Sequence, residues 1–379
     1  MSEKKEKIKI GITQGDVNGI GYEVVLKAFS DNRMLDLCTP IIYGSKKYIS
    51  DYKIQLKMDS FPIFFIEKSE DAKRNKVNLI DCCDCYSELN LGEPTASSGK
   101  SAYQALNTGV NDLIKGKIDC LVTAPINKKN IQGKEFYFPG HTEFLSQKDG
   151  GKKELMFMIS DNLRVGVVTG HIPLKDVARS ISKEKIQNKI KIMNSSLVKD
   201  FNIRKPKIAV LGLNPHAGDN GLLGGEEKEI IISAIQNSCK EGIIAQGPFP
   251  ADGFFGSTQY EKYDGVLAMY HDQGLIPFKA LSFGEGVNFT AGLSFVRTSP
   301  DHGTGYDIAG LNKAEPSSMR KAIYLAIQIF KNRIMSRVLE EHSLKPEVVK
   351  ENRFKIVSEQ KNNRGQRKFP NKSASDVSE

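Results

Sequence analysis

Short apolar runs alternate with helix-like stretches along most of this chain, and this alternation restricts the possible folds more than any other feature. It predicts an α/β fold with a largely parallel sheet. The predicted strands are 7–13, 118–124, 164–169, 207–213 and 265–270, and the clearest predicted helices are 20–29, 182–201 and 317–339. In the helix 182–201, the apolar residues Ile186, Ile190, Met193 and Leu197 fall on one face, as in a helix that packs on a sheet.

Length and composition describe a globular protein. A chain of 379 residues is too long to fold around a single hydrophobic core of ordinary size, so two domains are expected. Its hydrophobic content of 39% and charged content of 26% are typical of such proteins. The Lys- and Glu-rich start lacks the apolar stretch of a secretory signal, and no run approaches the length of a membrane span. We therefore expect a cytoplasmic protein with no membrane partner.

The positive charge is concentrated near the end of the chain. About half of the net charge of +9 comes from the segment 331–379. The stretch 358–379 has few large apolar residues and is predicted to be a disordered basic tail. A nucleic-acid-binding arm is the alternative, but the rest of the chain has no module that combines aromatic and basic residues. We expect no nucleic-acid partner.

Three of the six cysteines, Cys82, Cys83 and Cys85, form a cluster that contains a C-x-x-C spacing. A zinc site would need a second cysteine pair or histidines at ligand spacing, and none follows nearby. The cluster ends an apolar run rather than opening a helix, which argues against a thioredoxin-like motif. Reduced thiols without a catalytic role are the favoured interpretation.

Polar residues follow four of the predicted strands, where ligands of open α/β sheets bind. Three of the six histidines, His171, His216 and His271, lie at these positions. Three neutral imidazoles with open coordination positions are a common catalytic set for a divalent metal. The alternative is that each histidine is a hydrogen-bonded structural residue, because spacing alone does not show that the three converge.

Two further segments have the composition of binding loops. His141 lies where a polar loop opens into a helix, which is a good anion site, although simple capping by Thr142 is an equal alternative. The loop 15–21 has the spacing G-x-x-x-G-x-G, the reverse of the dinucleotide fingerprint, and no Walker lysine follows it. The spacing therefore argues against a Rossmann site or a P-loop, and any NAD is expected to bind by another geometry. The glycine-rich loop 218–227 is either a second flexible site loop or a structural turn.

The ordered motifs resemble the 4-hydroxythreonine-4-phosphate dehydrogenase family from about residue 8 to residue 339. The matching stretches are GITQGD (11–16), APINK (124–128), GHTEF (140–144), LNPHAG (213–218), GPFPAD (247–252), YHDQG (270–274), VNFTAG (287–292) and RTSPDHGT (297–304). This resemblance implies NAD-dependent oxidation of 4-(phosphooxy)-L-threonine to 2-amino-3-oxo-4-(phosphooxy)butanoate. Decarboxylation would then yield 3-amino-2-oxopropyl phosphate, in pyridoxal 5'-phosphate biosynthesis.

The resemblance also implies an architecture. It is a two-domain α/β/α fold like that of isocitrate and isopropylmalate dehydrogenases, with a non-Rossmann NAD site in the cleft between the domains. The first domain would comprise 1–130 and 311–357, and the second, 131–310, would carry the metal ligands and the dimer interface. The implied assembly is a homodimer whose active site is shared between the subunits.

The family's functional residues map onto this chain. The implied metal ligands are His171, His216 and His271, with zinc favoured over magnesium, manganese or cobalt. The implied substrate contacts are His141, Thr142, Lys279, Asn288 and Arg297. The implied contacts to NAD, or alternatively NADP, are Asp301, His302, Gly303, Thr304, Asp307 and Asn312. Lys279 would shuttle a proton or hold an oxyanion, and Asp252 and Asp272 would orient histidines or a bound water.

Departures from the family pattern keep other functions open. Gln14 and the run 16–18 replace a more usual Pro-Gly-Glu-Pro-Ala sequence, and glycines stand at 170 and 305 where other residues are common. None of these positions is an implied metal ligand, but they leave a paralogous 4-phospho-threonate dehydrogenase as an alternative. A phosphate acyltransferase and a non-catalytic ligand-binding module are the remaining alternatives.

Overall fold

Twelve strands hydrogen-bond into one sheet in the computed structural model, which describes residues 7–282 and 284–342. The strands are β1 (Lys9–Thr13), β2 (Thr39–Gly44), β3 (Ile63–Ile66), β4 (Val77–Asp81), β5 (Cys120–Thr123), β6 (Leu155–Ile159), β7 (Arg164–Val167), β8 (Lys207–Leu211), β9 (Ile244–Phe249), β10 (Gly265–Ala268), β11 (Val287–Ala291) and β12 (Arg297–Pro300). Their order across the sheet is β3-β4-β2-β1-β5-β12-β11-β6-β7-β10-β8-β9.

Helices connect most of these strands. They are α1 (Gly21–Phe29), α2 (Met34–Leu37), α3 (Lys46–Gln55), α4 (Ala96–Ile114), α5 (His141–Lys148), α6 (Val177–Ser180), α7 (Lys183–Lys199), α8 (Ile232–Lys240), α9 (Ala251–Phe255), α10 (His271–Ser282) and α11 (Ser317–Glu341). The apolar face predicted for α7 is confirmed, since Ile186, Ile190, Met193 and Leu197 are all buried. Within the described ranges, no helix is both long and apolar enough to cross a membrane.

The sheet changes direction at its centre. In the described part of the chain, eight of the eleven strand pairs are parallel, which confirms the predicted largely parallel sheet. The exceptions are adjacent, because β11 is antiparallel to β12 and β6, and β6 is antiparallel to β7. The block from β3 to β12 therefore runs opposite to the block from β7 to β9. The predicted α/β class is confirmed.

Helices cover both faces of the sheet, because alternate residues of a strand point to opposite sides. In β2, Ile42 joins the large core that includes α1, α3, α7 and α11, whereas Ile41 and Tyr43 join a core with α4 and α5. In β10, Leu267 belongs to the large core, whereas Val266 and Ala268 pack with α10. The α/β/α layering is thus confirmed, and one face carries two separate cores.

Those two cores hold the helices that flank the centre of the sheet. Phe144 and Leu145 of α5 are buried in one of them, and Leu275 and Phe278 of α10 are buried in the other. Burial of each such side chain contributes roughly 1.5–3 kcal/mol, so both helices are held firmly on the sheet. The predicted domain boundaries at 130 and 310 remain a prediction, and the predicted basic tail 358–379 lies outside the described residues.

Candidate functional site

A cavity of about 290 Å³ lies between the two cores on this face. Its floor is the centre of the sheet, where β5, β12, β11 and β6 lie side by side. The floor residues are Thr123, Arg297, Ser299, Asn288, Met156 and Met158. Its walls come from the loop after β5, the start of α5, the segment after β7, α10 and the loop after β12. The reversal of strand direction therefore marks the place where these walls meet.

Arg297 puts a buried positive charge on the cavity floor. It is 1% exposed, and its Nε and Nη2 donate to Thr123 Oγ1 at 3.1 and 2.5 Å while Nη1 donates to Thr290 Oγ1 at 3.2 Å. Burial lowers the pKa of Arg297 to about 9. A buried cation whose hydrogen bonds go to neutral hydroxyls is poorly compensated, and a bound anion would offset that cost.

The start of α5 faces the same cavity. Gly140 is the N-cap residue, with extended backbone, and Thr142 lies inside the helix, so the alternative that Thr142 acts as the cap is wrong. The N–H groups of an uncapped first turn are available to a ligand. Desolvation, helped by Arg297 and Lys128, lowers the pKa of His141 well below its usual value. His141 is therefore neutral and can donate one hydrogen bond and accept another.

Buried polar atoms without a partner are concentrated here. The described residues contain ten such side-chain atoms, and four belong to residues that line the cavity: His141 Nε2, Glu143 Oε2, Asn288 Oδ1 and His302 Nε2. Leaving a buried polar group unsatisfied costs about 1–3 kcal/mol, so native proteins rarely gather several in one place without use. Their concentration indicates a polar ligand that completes them.

Two of the predicted metal ligands meet at the cavity wall. The ring centroids of His171 and His271 are 5.3 Å apart. Desolvation, with Lys128 and His271 adding to its effect, lowers the pKa of His171 to about 4, so its imidazole is neutral. Asp272 Oδ1 lies 2.7 Å from His271 Nδ1. A carboxylate in this position fixes the tautomer and leaves Nε2 free for a ligand.

Lys128 is a cavity residue that the sequence analysis did not select. Its Nζ lies 3.0 Å from His171 Nε2, and desolvation lowers the pKa of Lys128. Glu143 and Thr123 line the cavity as well. Lys128 and Glu143 belong to the stretches APINK and GHTEF, so the same motifs contained the signal for both.

The loop after β12 closes another side. Asp301, His302 and Gly303 line the cavity, and Lys279 of α10 places its Nζ 3.4 Å from Asp301 Oδ1. Desolvation raises the pKa of Asp301, and it lowers the pKa of His302. His302 Nδ1 lies 3.0 Å from the carbonyl oxygen of Gly303. The buried Nε2 has no partner and is therefore available to a ligand.

Six predicted site residues are not among those that line the cavity of the single chain: His216, Asp252, Asp272, Thr304, Asp307 and Asn312. Asp252 is exposed in α9, and Asp307 and Asn312 are exposed after β12. His216 is exposed in the turn Pro215–Gly221. Correspondingly, across the described residues of one chain, no group of three or more His, Cys, Asp or Glu is placed to hold a metal ion.

The turn that carries His216 has an unusual backbone. Its five consecutive residues 216–220 all have left-handed φ values, and only Gly218 among them is a glycine. Such a conformation costs roughly 1–2 kcal/mol for each residue with a side chain. The buried Glu227 supports the turn, because its Oε1 accepts from Leu213 N and Asn214 N, each at 2.8 Å. Backbone strain of this kind is often found at functional sites.

The comparisons with known proteins agree with this geometry. Residues 36–326 match the family model described as "Pyridoxal phosphate biosynthetic protein PdxA". The chain is 52% identical to 4-hydroxythreonine-4-phosphate dehydrogenase of Bacteroides thetaiotaomicron over 332 residues, covering 87% of this chain and 91% of the relative. It is 38% identical over 326 residues to a protein of Oceanobacillus iheyensis provisionally named a D-threonate 4-phosphate dehydrogenase, covering 84% and 97%.

A solved structure extends the likeness to three dimensions. The crystal structure of 4-hydroxythreonine-4-phosphate dehydrogenase from Klebsiella pneumoniae matches with a TM-score of 0.75 and 33% identity, covering 87% of this chain and 99% of that chain. The fold and the site thus define an α/β dehydrogenase. Because the family model matches more than half of the chain, this chain belongs to the PdxA family of pyridoxal phosphate biosynthetic proteins. The family predicted from the sequence motifs is confirmed.

Proposed function

We propose that this chain oxidises 4-(phosphooxy)-L-threonine with NAD as the hydride acceptor, with NADP as the alternative cofactor. The C3 hydroxyl loses its proton and C3 gives up a hydride, which yields 2-amino-3-oxo-4-(phosphooxy)butanoate. Loss of carbon dioxide then gives 3-amino-2-oxopropyl phosphate. The observation that carries the proposal is the 52% identity, over 87% of this chain, to a relative named for this activity.

The cavity suits a substrate with two anionic groups. Arg297 offers a buried cation on the floor whose hydrogen bonds go to neutral hydroxyls, and Lys279 offers a second cation on the wall. His141, Thr142 and Asn288 add neutral hydrogen-bonding groups between them. A planar guanidinium binds carboxylate or phosphate through paired hydrogen bonds. We propose that these five residues bind the carboxylate and phosphate of the substrate.

The histidine pair fits two positions of a divalent metal site. His171 is held neutral, and Asp272 orients His271 with Nε2 free, which is the usual arrangement around a metal-bound imidazole. We propose that His216 of the partner subunit completes the set in a homodimer. A divalent metal, zinc first, with magnesium, manganese or cobalt as alternatives, would polarise the substrate hydroxyl and lower its pKa.

The loop after β12 is the proposed cofactor site. Asp301, His302 and Gly303 lie in the cavity wall, and the buried His302 Nε2 without a partner supports a ligand there. Thr304, Asp307 and Asn312 continue the same segment and are proposed to contact the rest of the dinucleotide. The bound nicotinamide would accept the hydride.

Proton handling is proposed for Lys279. Its Nζ lies in the cavity wall 3.4 Å from Asp301 Oδ1, and this position supports a role in holding the proton from the C3 hydroxyl or passing it to solvent. Asp272 serves this chemistry through His271. Asp252 remains a prediction, since it is exposed in α9 outside the cavity lining. A cytoplasmic location and the absence of nucleic-acid partners belong to the same proposal.

The runner-up is oxidation of a 4-phospho-threonate. It is favoured by the 38% identity to the Oceanobacillus relative, and such a substrate has the same two anionic groups. The test is NADH formation at 340 nm with 4-(phosphooxy)-L-threonine and, in parallel, with phospho-threonate isomers, each with and without a chelator. NADH from the amino acid that the chelator abolishes supports the proposal. NADH from a phospho-threonate alone moves the chain to the runner-up, and NADH from neither contradicts both.

A further inference from the structure

Asp16 carries a buried carboxylate that the proposed chemistry does not use. It is 1% exposed, and four donors hold its oxygens. The backbone N–H of Asn18 donates to Oδ1 at 2.9 Å, and Asn130 Nδ2, the Tyr306 hydroxyl and the Ser98 hydroxyl donate to Oδ2 at 2.7, 2.9 and 3.1 Å. A buried carboxylate that lacks donors is strongly disfavoured, so all four hydrogen bonds are expected to persist. Asp16 therefore fixes the positions of these four groups relative to one another.

Two of the donors come from segments that form neighbouring walls of the cavity, the loops after the adjacent parallel strands β5 and β12. Asn130 closely follows the loop after β5, whose residues Pro125, Ile126 and Lys128 line the cavity. Tyr306 follows the proposed cofactor loop 301–305. Asp16 itself belongs to neither wall. It therefore links two cavity walls that are far apart in the sequence.

The backbone around Asp16 makes the same two connections. The N–H of Asp16 donates to Pro125 O at 2.9 Å, and the N–H of Ile20 donates to Thr304 O at 2.8 Å. A side chain at Gly19 is excluded, because its Cβ would lie 2.4 Å from Thr304 O. The glycine loop 15–21, whose spacing excludes a dinucleotide fingerprint, thus packs directly on the cofactor loop.

We propose that Asp16 is a positioning residue, which holds the segment 301–306 in its cofactor-binding conformation through its hydrogen bond with Tyr306. This inference rests on the proposed function, because it takes 301–305 as the cofactor loop. Burial, together with Asp16, raises the pKa of Tyr306, so the phenol stays protonated and remains the donor. Asp16 acts on the cofactor only through this segment and touches no reacting atom.

The test uses the full-length chain with Tyr306→Phe and Asp16→Asn. The matched control is Tyr86→Phe, which removes a surface hydrogen bond of 2.9 Å from a tyrosine hydroxyl to Asp51 Oδ2. Each variant is measured for the KM of NAD, the KM of the phosphorylated substrate, and hydrogen–deuterium exchange of the amides 301–306 in the ligand-free protein. Tyr306→Phe should raise the KM of NAD about tenfold, as expected for the loss of a hydrogen bond to a charged acceptor.

The substrate KM of Tyr306→Phe should stay within about twofold, and its amides 301–306 should exchange about tenfold faster. Asp16→Asn should act in the same direction and more strongly, while Tyr86→Phe should change neither quantity. Unchanged exchange and an unchanged KM of NAD in folded Tyr306→Phe would overturn the proposal. So would a general loss of stability that leaves both KM values alone. If Asp16→Asn does not fold, Tyr306→Phe alone decides.

Failure of the proposed function gives a different result. If the wild-type chain forms no NADH, the dehydrogenase proposal fails, and the exchange measurement still decides whether Asp16 holds 301–306. Faster exchange in that segment, with Tyr86→Phe unchanged, then supports the positioning role. Exchange equal to that of the wild-type protein overturns it.

Discussion

The cavity floor around Arg297 and the turn around His216 each carry a candidate site residue, but the two residues differ in burial and in backbone conformation. Arg297 is buried, sits on regular strands and is fixed by two threonine hydroxyls. His216 is exposed in a left-handed turn and is not among the residues that line the cavity. Buried polar groups support both regions, but only the region around Arg297 lines the cavity described in the same chain. This difference is the basis for the proposal that His216 completes a site on the partner subunit.

The largest expected effect follows from replacing His216, the proposed metal ligand that lies outside the cavity lining. His216→Ala should reduce dehydrogenase activity to background and lower the content of bound metal, because the proposed open site would lose one of its three imidazoles. The melting temperature should stay close to that of the wild type, since His216 is exposed. Activity, metal analysis and thermal melts check this.

His342→Ala is the matched control, because His342 is also an exposed histidine. It should leave activity and metal content unchanged. Near-normal activity and metal content in His216→Ala would show that the turn is not part of the site.

Arg297→Met should give the next largest effect, on the other region. Truncating a buried cation that pairs with a bound anion costs about 2–5 kcal/mol, so kcat/KM should fall by roughly two to three orders of magnitude. The free energy of unfolding without ligand should fall little, because the guanidinium loses hydroxyl partners and the attraction of Glu143, while the cost of burying its charge is removed. Steady-state kinetics and denaturant melts measure the two quantities. A large loss of stability with unchanged kcat/KM would make Arg297 a structural residue.

Asp272→Asn should give a smaller effect. The carboxylate touches His271 Nδ1 at 2.7 Å, and loss of such a partner typically lowers metal affinity 10- to 100-fold. Because Asp272 is 70% exposed, we expect the lower end of this range. Metal titration measures it, with Asp161→Asn, an exposed aspartate whose partner is Lys321, as the control. Equal metal affinity in both variants would show that Asp272 does not support a metal ligand.

Gly218→Ala should give the smallest effect and tests the strained turn. Gly218 has φ 80°, and an added Cβ would lie 2.5 Å from Glu227 Oε2. We expect a loss of about 1–3 kcal/mol in the free energy of unfolding, with some loss of metal affinity. Gly133→Ala is the control, since nothing lies near its Cβ. Wild-type stability in Gly218→Ala would mean that the turn relaxes freely.

Much of the fold was predictable, and its centre was not. The predicted strands 164–169 and 265–270 correspond to β7 and β10, because buried strands are recognisable as apolar runs. The reversal of direction at β11 and β6 depends on which strands become neighbours in space, and local patterns do not contain that information. The cavity depends on this reversal, so its position could not be derived from periodicity.

Part of the candidate site was also predictable from the sequence, and part of it was not. The resemblance to the family named His171, His271 and Arg297, and the structure brings them into one cavity. The motif APINK contained Lys128, but its contact with His171 could not be predicted, because it joins residues 43 positions apart. The left-handed turn at 216–220 was also missed, since left-handed backbone is ordinarily expected only at glycine.

The most direct measurement is complementation between His216→Ala and Arg297→Met, each inactive alone, after co-expression in equal amounts. If His216 completes the site of the partner subunit, a mixed dimer contains one intact site and one that carries both changes. Random pairing makes half of the dimers mixed, so about a quarter of the wild-type activity should return. Activity that stays at background would contradict a shared site and place every essential residue in a single chain.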